Sequence, residues 1–403
     1  MPQVIVLFRL VLIALAATLG VAAQADVWPD PEKEITFSAN KEYRLTVYPA
    51  PEKEVEAYFR EEGAKRPNAT ARLQRKSPRG GWKTVWKKPL LNEIAPTDAL
   101  VADDGRYVVT FDNWYSTGHG ENVVVIYGAD GSVVRSMKLT DIVPEFYMAT
   151  LSHSVSSVDW REDEGLNADG ETIFIDIYRP GQSHFSSSDN KTLRFTIDLS
   201  DGRVGLPEAG AWEKALSEAR VLALALVREN LAYEQMMRNP IKAPAGCGPA
   251  GWRTYFYEVS QREAPQGEDA DYVSPHILLP VSEEDSERRS TNFKWAPSNR
   301  HKFEQRIAVV APCAFDVLLS GAREIAERGE TFNRATIWIS ATRSEYEQVD
   351  AVLARTGIKT RWLDPDEPIP QRADRVPDNL EFIAEIEAVE RQLMAEIAAE
   401  GAD

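Results

Sequence analysis

The chain has 403 residues and carries 46 Lys and Arg against 63 Asp and Glu, a formal net charge of −17 at pH 7. Nucleic acids and anionic membrane surfaces are bound through clustered basic residues, so this acidic balance argues against both as partners. With 43% apolar and 27% charged residues, the composition is that of a globular protein, and the length indicates two or three domains.

The first 25 residues form a pattern typical of a secretory signal peptide. Arg9 precedes an apolar run over residues 10–23, and Ala23-Gln24-Ala25 has the small-x-small form of a signal-peptidase site. The run is shorter than the roughly 20 residues that a membrane-spanning helix needs. We therefore expect cleavage before Asp26 and an exported chain, periplasmic or secreted, with no membrane span after cleavage. An uncleaved anchor is the alternative.

Residues 26–206 have the pattern of an antiparallel β domain. Runs rich in β-branched and aromatic residues are separated by the turn dipeptides Asp104-Gly105 and Asp130-Gly131, in which Gly supplies a positive φ. The strand-like runs lie at 43–48, 71–75, 81–86, 107–111, 123–127, 133–139, 154–160, 172–178 and 192–199. Short strands with recurring Asp-Gly turns predict antiparallel sheets, arranged either as propeller blades or as a sandwich.

Two of these runs carry a resemblance to known proteins. Ala-Leu-Val-Ala-Asp-Asp-Gly-Arg-Tyr-Val-Val-Thr-Phe-Asp at 99–112, followed by Val-Val-Val-Ile-Tyr-Gly-Ala-Asp-Gly-Ser-Val-Val at 123–134, resembles the blade pattern of β-propeller proteins. The region from about residue 40 to 200 also resembles a group of exported bacterial proteins of unknown function. The resemblance implies a propeller-like fold here. Because the Asp-Gly turns are unequally spaced and the region holds only about four blades, a partial propeller and a two-sheet sandwich both stay open.

Beyond residue 206 the pattern changes from strands to helices. Residues 207–240 predict a connecting amphipathic helix that ends before Pro240. The following segment, 241–304, is rich in Pro, Gly and charge and predicts an irregular linker or insert, in which 252–259 has strand character.

The C-terminal part of the chain alternates strand and helix patterns. Residues 305–368 predict a βαβαβ domain, which the handedness rule arranges as three parallel strands. The tail, 369–403, holds an amphipathic helix that either docks on the domain or pairs with a partner helix. The predicted fold class is therefore multidomain α+β.

The two cysteines, Cys247 and Cys313, predict one structural disulfide in an oxidising compartment. Cys313 also lies between a predicted strand and a predicted helix, where a helix N-terminus lowers a thiol pKa. No Cys-x-x-Cys partner accompanies it. Because of its position before the predicted helix, a thiol nucleophile at Cys313 is the alternative to the disulfide.

The loop Ser-Thr-Gly-His-Gly-Glu, between two predicted strands, is the main candidate for chemistry. His119 is flanked by glycines that leave the backbone open to approach, so it suits a general base or a ligand. Asp112 and Glu121 are its neighbouring acids. The predicted binding surface, on the concave or loop face of the β domain, comprises Trp114, Tyr115, His119, Glu121 and Trp160.

No motif in the sequence names a reaction. The G-x-S-x-G, P-loop and G-x-G-x-x-G patterns are absent, and no metal-ligand spacing is present around His153, His184, His276 or His301. We expect no metal and no cofactor, and a non-catalytic binding protein whose partner at the cell envelope is a protein or a small ligand. The alternatives are a hydrolase or thiol enzyme using His119 or Cys313, and an assembly component recruited through the C-terminal helix.

Overall fold

The structure is a computed structural model that describes residues 28–61, 63–246, 248–266, 273–298, 305–311 and 313–400. The predicted signal peptide, Cys247 and His301 lie outside these residues. The described chain divides into two compact units, one formed by residues up to 232 together with 380–400, the other by 233–379. Within the described residues, no helix combines the length and the apolar character that crossing a membrane requires.

Antiparallel sheets make up the N-terminal part of the first unit. Three four-stranded sheets follow one another along the described chain, and in each the strands pair in chain order. The first contains β1 (Glu34–Phe37), β2 (Tyr43–Tyr48), β3 (Asn68–Lys76) and β4 (Trp82–Glu93). The second contains β5 (Asp98–Val101), β6 (Val108–Phe111), β7 (Val124–Tyr127) and β8 (Val133–Met137). The antiparallel prediction for this region is confirmed.

The third sheet and the elements before it complete the β part of this unit. The sheet contains β11 (Arg161–Leu166), β12 (Thr172–Tyr178), β13 (Thr192–Asp198) and β14 (Val204–Gly205). A short antiparallel ladder of β9 (Ser152–His153) and β10 (Val158–Asp159) precedes it. Helix α1 (Glu52–Arg60) lies between β2 and β3, and α2 (Glu145–Met148) follows β8.

Alternation of apolar and polar residues explains which face of each strand is buried. In β12, Ile173, Ile175 and Ile177 have no exposed surface, while the residues between them are partly exposed. The Asp-Gly turns close the hairpins. At Gly105, φ is +72° and a Cβ atom would lie 2.2 Å from the Tyr43 ring, so this turn requires glycine.

Two long helices pack on each other in the first unit. These are the part of α3 (Ala209–Met236) up to residue 232 and the C-terminal α8 (Leu380–Glu400). Their shared apolar cluster comprises Ala223, Val227, Phe382, Ile386, Val389 and Leu393. Ion pairs flank it, with Nε of Arg220 2.9 Å from Glu396 and Nε of Arg228 2.8 Å from Glu390. The C-terminal helix therefore docks within its own chain.

The second unit is a parallel α/β sheet. Strands β15 (Val273–Ile277), β16 (Gln305–Val310), β17 (Ala335–Ser340) and β18 (Lys359–Leu363) pair in that order. The helices are α4 (Pro249–Glu263), α5 (Ser286–Trp295), α6 (Phe315–Glu327) and α7 (Arg343–Leu353). Ile307 and Val309 of β16 pack in one core with α5, α6 and α7, and Ala308 and Val310 pack in a second core with α4.

The prediction of an irregular segment over 241–304 is wrong, because it contributes α4, β15 and α5. The strand expected at 252–259 belongs to a helix. Pro249 at its first turn presets a helical φ, and Trp252, Phe256 and Val259 recur at helical spacing. The sequence pattern does not predict strand β15, because Pro275 lies within it and a proline within a run argues against a strand.

Candidate functional site

A groove of about 620 Å³ lies beside the β9–β10 ladder in the first unit, and we call it the β9–β10 groove. Its aromatic lining comes from Trp28, Trp160 and Phe185. Its polar lining comes from Thr117, Ser152, His153, Ser154, Ser157, Asp159, Arg161 and His184. Ligand sites typically combine apolar walls with a few placed polar groups, and this groove has that make-up.

The ladder is held against the loop that follows β6. In the ladder Val158 pairs with His153 and Asp159 with Ser152. The backbone N–H of Val158 donates to the carbonyl of Thr117 at 2.9 Å. The next residue, Gly118, has φ +74°, and a Cβ atom there would lie 2.7 Å from Cβ of Val158. Only glycine allows the loop and the ladder to approach this closely.

A buried carboxylate fixes the floor of the groove. The Asp112 side chain has no exposed surface and accepts hydrogen bonds from the backbone N–H of Gly118 at 2.7 Å and from Nε1 of Trp160 at 3.1 Å. It also accepts from Nη1 of Arg161 at 2.5 Å. Burial raises the pKa of the Asp112 carboxyl, and Arg161 opposes that rise. One side chain therefore joins the loop to both Trp160 and Arg161.

The Arg161 guanidinium forms ion pairs with three carboxylates. Besides Asp112, its Nη2 lies 2.8 Å from Asp98 and its Nε lies 2.9 Å from Glu164. The guanidinium also lies over the Trp160 ring, 5.1 Å from its centroid. Its side chain is only 8% exposed. Arg161 therefore organises the floor and adds no free positive charge to the groove.

One wall carries a carboxylate–imidazole pair. Oδ2 of Asp159 accepts from Nδ1 of His184 at 2.7 Å and from the His184 backbone N–H at 3.1 Å. The other oxygen, Oδ1, receives no hydrogen bond from any residue that the structure describes. The imidazole lies against the Phe185 ring with centroids 3.7 Å apart, and Phe185 is 84% exposed. This wall offers a carboxylate oxygen next to an exposed aromatic ring.

The second histidine of the groove is held neutral. Burial lowers the pKa of His153 to about 4, and the neighbouring His119 contributes to that lowering. Its Nδ1–H donates to the carbonyl of Leu151, which opposes the shift. Burial also lowers the pKa of His119.

Aromatic side chains hold the Trp28 segment at the edge of the groove. Trp28 meets Trp114 edge-to-face with centroids 5.6 Å apart, and Tyr115 at 5.9 Å. Nε1 of Trp114 donates to the carbonyl of Pro29 at 2.9 Å. Trp114 and Tyr115 therefore support the residue that lines the groove and are not among its lining residues.

The remaining predicted site residues differ in their burial and in their partners. Trp160 lines the groove, although it is only 1% exposed. Glu121 is exposed and pairs with Lys138 at 3.0 Å. Asp112 binds Arg161, and Glu121 binds Lys138. His119 is partly buried and does not line the groove.

Cys313 does not line the groove. Cys313 is an exposed residue of the second unit, just before α6. Cys247 lies outside the described residues, so the disulfide between them stays a prediction. Among the residues that the structure describes, no group of three or more His, Cys, Asp and Glu side chains is placed to hold a metal ion.

Sequence reasoning missed the groove because its polar residues come from distant segments. Asp159 and His184 are 25 positions apart and belong to no spacing motif. Trp28 belongs to the Trp-Pro-Asp-Pro segment at 28–31, shortly after the expected cleavage site. Pairing of these segments is a consequence of tertiary packing, and no local pattern in the sequence signals it.

Comparisons with known proteins add no identification. No protein-family model and no curated protein matches the chain. Among solved structures, a structural-genomics protein from Lactobacillus plantarum matches with 11% identity over 43% of this chain and 40% of that protein, at a TM-score of 0.23. AtxE2 isopeptidase in its apo form matches with 10% identity over 89% of this chain and 54% of that protein, at a TM-score of 0.14. Scores this low establish neither a shared fold nor a shared activity.

Proposed function

We propose that this chain is a non-catalytic binding protein of the cell envelope and that the β9–β10 groove takes a small organic ligand. The observation that carries the proposal is the groove itself: about 620 Å³, with aromatic walls and an incompletely hydrogen-bonded carboxylate. The buried contacts of Asp112 support a rigid floor, which limits the conformational entropy lost on binding. The signal-like N-terminus supports export.

Ligand-induced stabilisation tests the proposal. The purified protein is screened by thermal unfolding against soluble amines, amino acids, sugars, short peptides and carboxylates. Binding of a ligand to the folded state raises the midpoint in proportion to RT ln(1 + [L]/Kd). We expect at least one class to raise the midpoint of the wild type and to have no effect on Trp28→Ala, which removes one wall of the groove.

A matched control separates binding in the groove from binding elsewhere. Val221→Ala truncates an apolar residue of α3 that is 55% exposed and is not among the groove's lining residues. It should respond to the ligand as the wild type does. The proposal is wrong if no class stabilises the wild type, or if Trp28→Ala responds fully to every ligand that does.

We prefer binding in the groove to a hydrolase centred on His119, because His119 is not among the residues that line the groove. Activity of wild type that disappears in His119→Ala, with unchanged stability, would reverse this order of preference.

We also propose that the three antiparallel sheets are blades of a propeller-like unit rather than the two layers of a sandwich. Each is a four-stranded meander with strands in chain order, which is the form of a propeller blade. An experimental structure of the unit tests this. Two sheets packed face to face at a small angle would identify a sandwich.

A further inference from the structure

We infer that the ligand of the β9–β10 groove carries a cationic ammonium group, bound by Oδ1 of Asp159 and by the faces of the neighbouring aromatic rings. The inference rests on the proposed binding function and specifies the chemical class of the ligand. It depends on three features of the groove. These are the hydrogen bonding of the Asp159 carboxylate, the pairing of the basic side chains, and the aromatic side chains of the lining.

The Asp159 carboxylate is held in place on one side only. Oδ2 accepts both the side-chain and the backbone N–H of His184, at 2.7 and 3.1 Å. These contacts fix the carboxylate orientation, while no described residue donates to Oδ1. The side chain is 26% exposed and belongs to the lining of the groove. A positioned carboxylate with an oxygen to which no described residue donates suits a charged N–H donor, since such hydrogen bonds are about twice as strong as neutral ones.

The other basic groups of the groove do not pair with Asp159 in the part of the chain that the structure describes. Arg161 is bound by Asp112, Asp98 and Glu164, three carboxylates for one guanidinium. His153 is buried and donates its Nδ1–H to the Leu151 carbonyl. Among the described residues that line the groove, Arg161 is thus already paired with carboxylates, and His184 is paired with Asp159. The formal charge of the whole chain, −17, adds attraction for a cation.

Aromatic rings from two segments of the chain line the groove. Trp28 is half-buried and held by Trp114 and Tyr115, and Phe185 is 84% exposed beside His184. An ammonium group over the face of Trp or Phe is attracted by the ring quadrupole, and cages of such rings recognise organic cations. Asp159 and His184 lie on the same wall as Phe185, so one ligand group meets both kinds of attraction.

Three ligands of nearly identical shape test the charge requirement: phenethylamine, 2-phenylethanol and phenylacetate, which are cationic, neutral and anionic at pH 7.5. Their affinities for the full chain are measured by isothermal titration calorimetry. We expect phenethylamine to bind at least about tenfold more tightly than 2-phenylethanol, and phenylacetate to bind most weakly.

Variants locate the charge effect. Asp159→Asn keeps the shape and an acceptor for His184 but removes the negative charge. We expect it to weaken phenethylamine about tenfold and to leave 2-phenylethanol unchanged. Glu229→Gln removes one negative charge from an exposed position on α3 and should change neither affinity. If Asp159→Asn fails to fold, the three-ligand series on the wild type still decides the matter.

The outcomes separate this inference from the function on which it rests. If 2-phenylethanol or phenylacetate binds as tightly as phenethylamine and Trp28→Ala abolishes that binding, the ammonium inference is wrong and the binding function stands. If none of the three binds at millimolar concentration, the inference is also wrong, and the thermal screen decides the function. If Asp159→Asn and Glu229→Gln weaken phenethylamine binding equally, the net charge of the chain accounts for the effect, and the proposed contact between Asp159 and the ammonium group is wrong.

Discussion

Asp112 and Arg161 form a buried ion pair, with 2.5 Å between Oδ2 and Nη1 and no exposed surface on the carboxylate. The same carboxylate receives the N–H of Gly118 and the indole N–H of Trp160. Three segments of the chain thus meet at one charged group. Removing one partner of such a pair leaves an uncompensated buried charge, which costs more than the intact pair contributes.

Arg161→Met is expected to lower the free energy of unfolding by about 3–5 kcal/mol, because it leaves the buried Asp112 carboxylate without its cation. Urea unfolding at pH 7 measures the change. Arg194→Met is the matched control. Arg194 pairs with Asp176 at 2.6 Å, but its side chain is 58% exposed. A surface pair contributes at most about 1 kcal/mol, so equal losses in the two variants would contradict the role given to Arg161.

Gly118→Ala is expected to destabilise the first unit by about 2–4 kcal/mol, combining a left-handed backbone with overpacking. The added Cβ would lie 2.7 Å from Val158 and 3.2 Å from the Trp160 ring. Thermal or urea unfolding checks the loss. Gly80→Ala serves for comparison, since Gly80 has φ +85° with no atom within 4 Å of the added Cβ. A loss at Gly80 as large as that at Gly118 would attribute the whole effect to backbone strain.

The strands of the first unit were predictable because their signals are local. Apolar alternation in β12 and the Asp-Gly turns are read from consecutive residues, and each specifies its own hairpin. The parallel strands β16 to β18 were predictable for the same reason. Strand β15 was not, because Pro275 removes a backbone donor and argues against a strand. Pairing with β16 alone accommodates that proline at the edge of the sheet.

The groove was less predictable than the fold. Its aromatic floor residue Trp160 was selected from the sequence, and so was the supporting pair Trp114 and Tyr115. His119 was selected because glycines flank it, but those glycines serve the path of the loop, as Gly118 shows. The pairing of Asp159 with His184 depends on packing between segments 25 positions apart. Local sequence carries no information about such contacts.

The stability of the first unit should fall in acid because of His153. Its pKa is about 4 in the folded chain against 6.5 in the unfolded chain. Between these values the unfolded state binds the proton more strongly than the folded state does. The contribution of His153 to the free energy of unfolding is therefore complete above pH 6.5 and decreases as the pH falls toward 4. The slope from one histidine is at most about 1.4 kcal/mol per pH unit. Urea unfolding from pH 8 to 4 measures it.

His153→Gln should flatten this part of the pH profile, since the variant has no imidazole to protonate. His276→Gln provides the comparison, because burial also lowers the pKa of His276 to about 4, in the second unit. Each variant should flatten the pH profile of the unit to which its histidine belongs. An unchanged slope in His153→Gln would show that the acid sensitivity of the chain arises from other groups.

Docking of α8 on α3 is expected to contribute to the stability of the first unit. Ile386 has no exposed surface in their shared cluster, so Ile386→Ala should cost about 2–5 kcal/mol. Leu380, at the start of α8, is 69% exposed, and Leu380→Ala should cost less than about 0.5 kcal/mol. Unfolding curves measure both. Loss of a higher oligomer in Ile386→Ala, with unchanged stability, would instead support recruitment of a partner through this helix.

The two cysteines are expected to be joined in protein taken from its native compartment. A disulfide between Cys247 and Cys313 closes a long loop, which in the chain-entropy model contributes roughly 4 kcal/mol. Alkylation without reduction, followed by intact-mass measurement, should give a chain that begins at Asp26 and carries no adduct. Two adducts would mean free thiols. Since Cys313 is exposed next to the start of α6, it would then be the first residue to test for nucleophilic activity, with Cys313→Ser against Cys247→Ser as the matched pair.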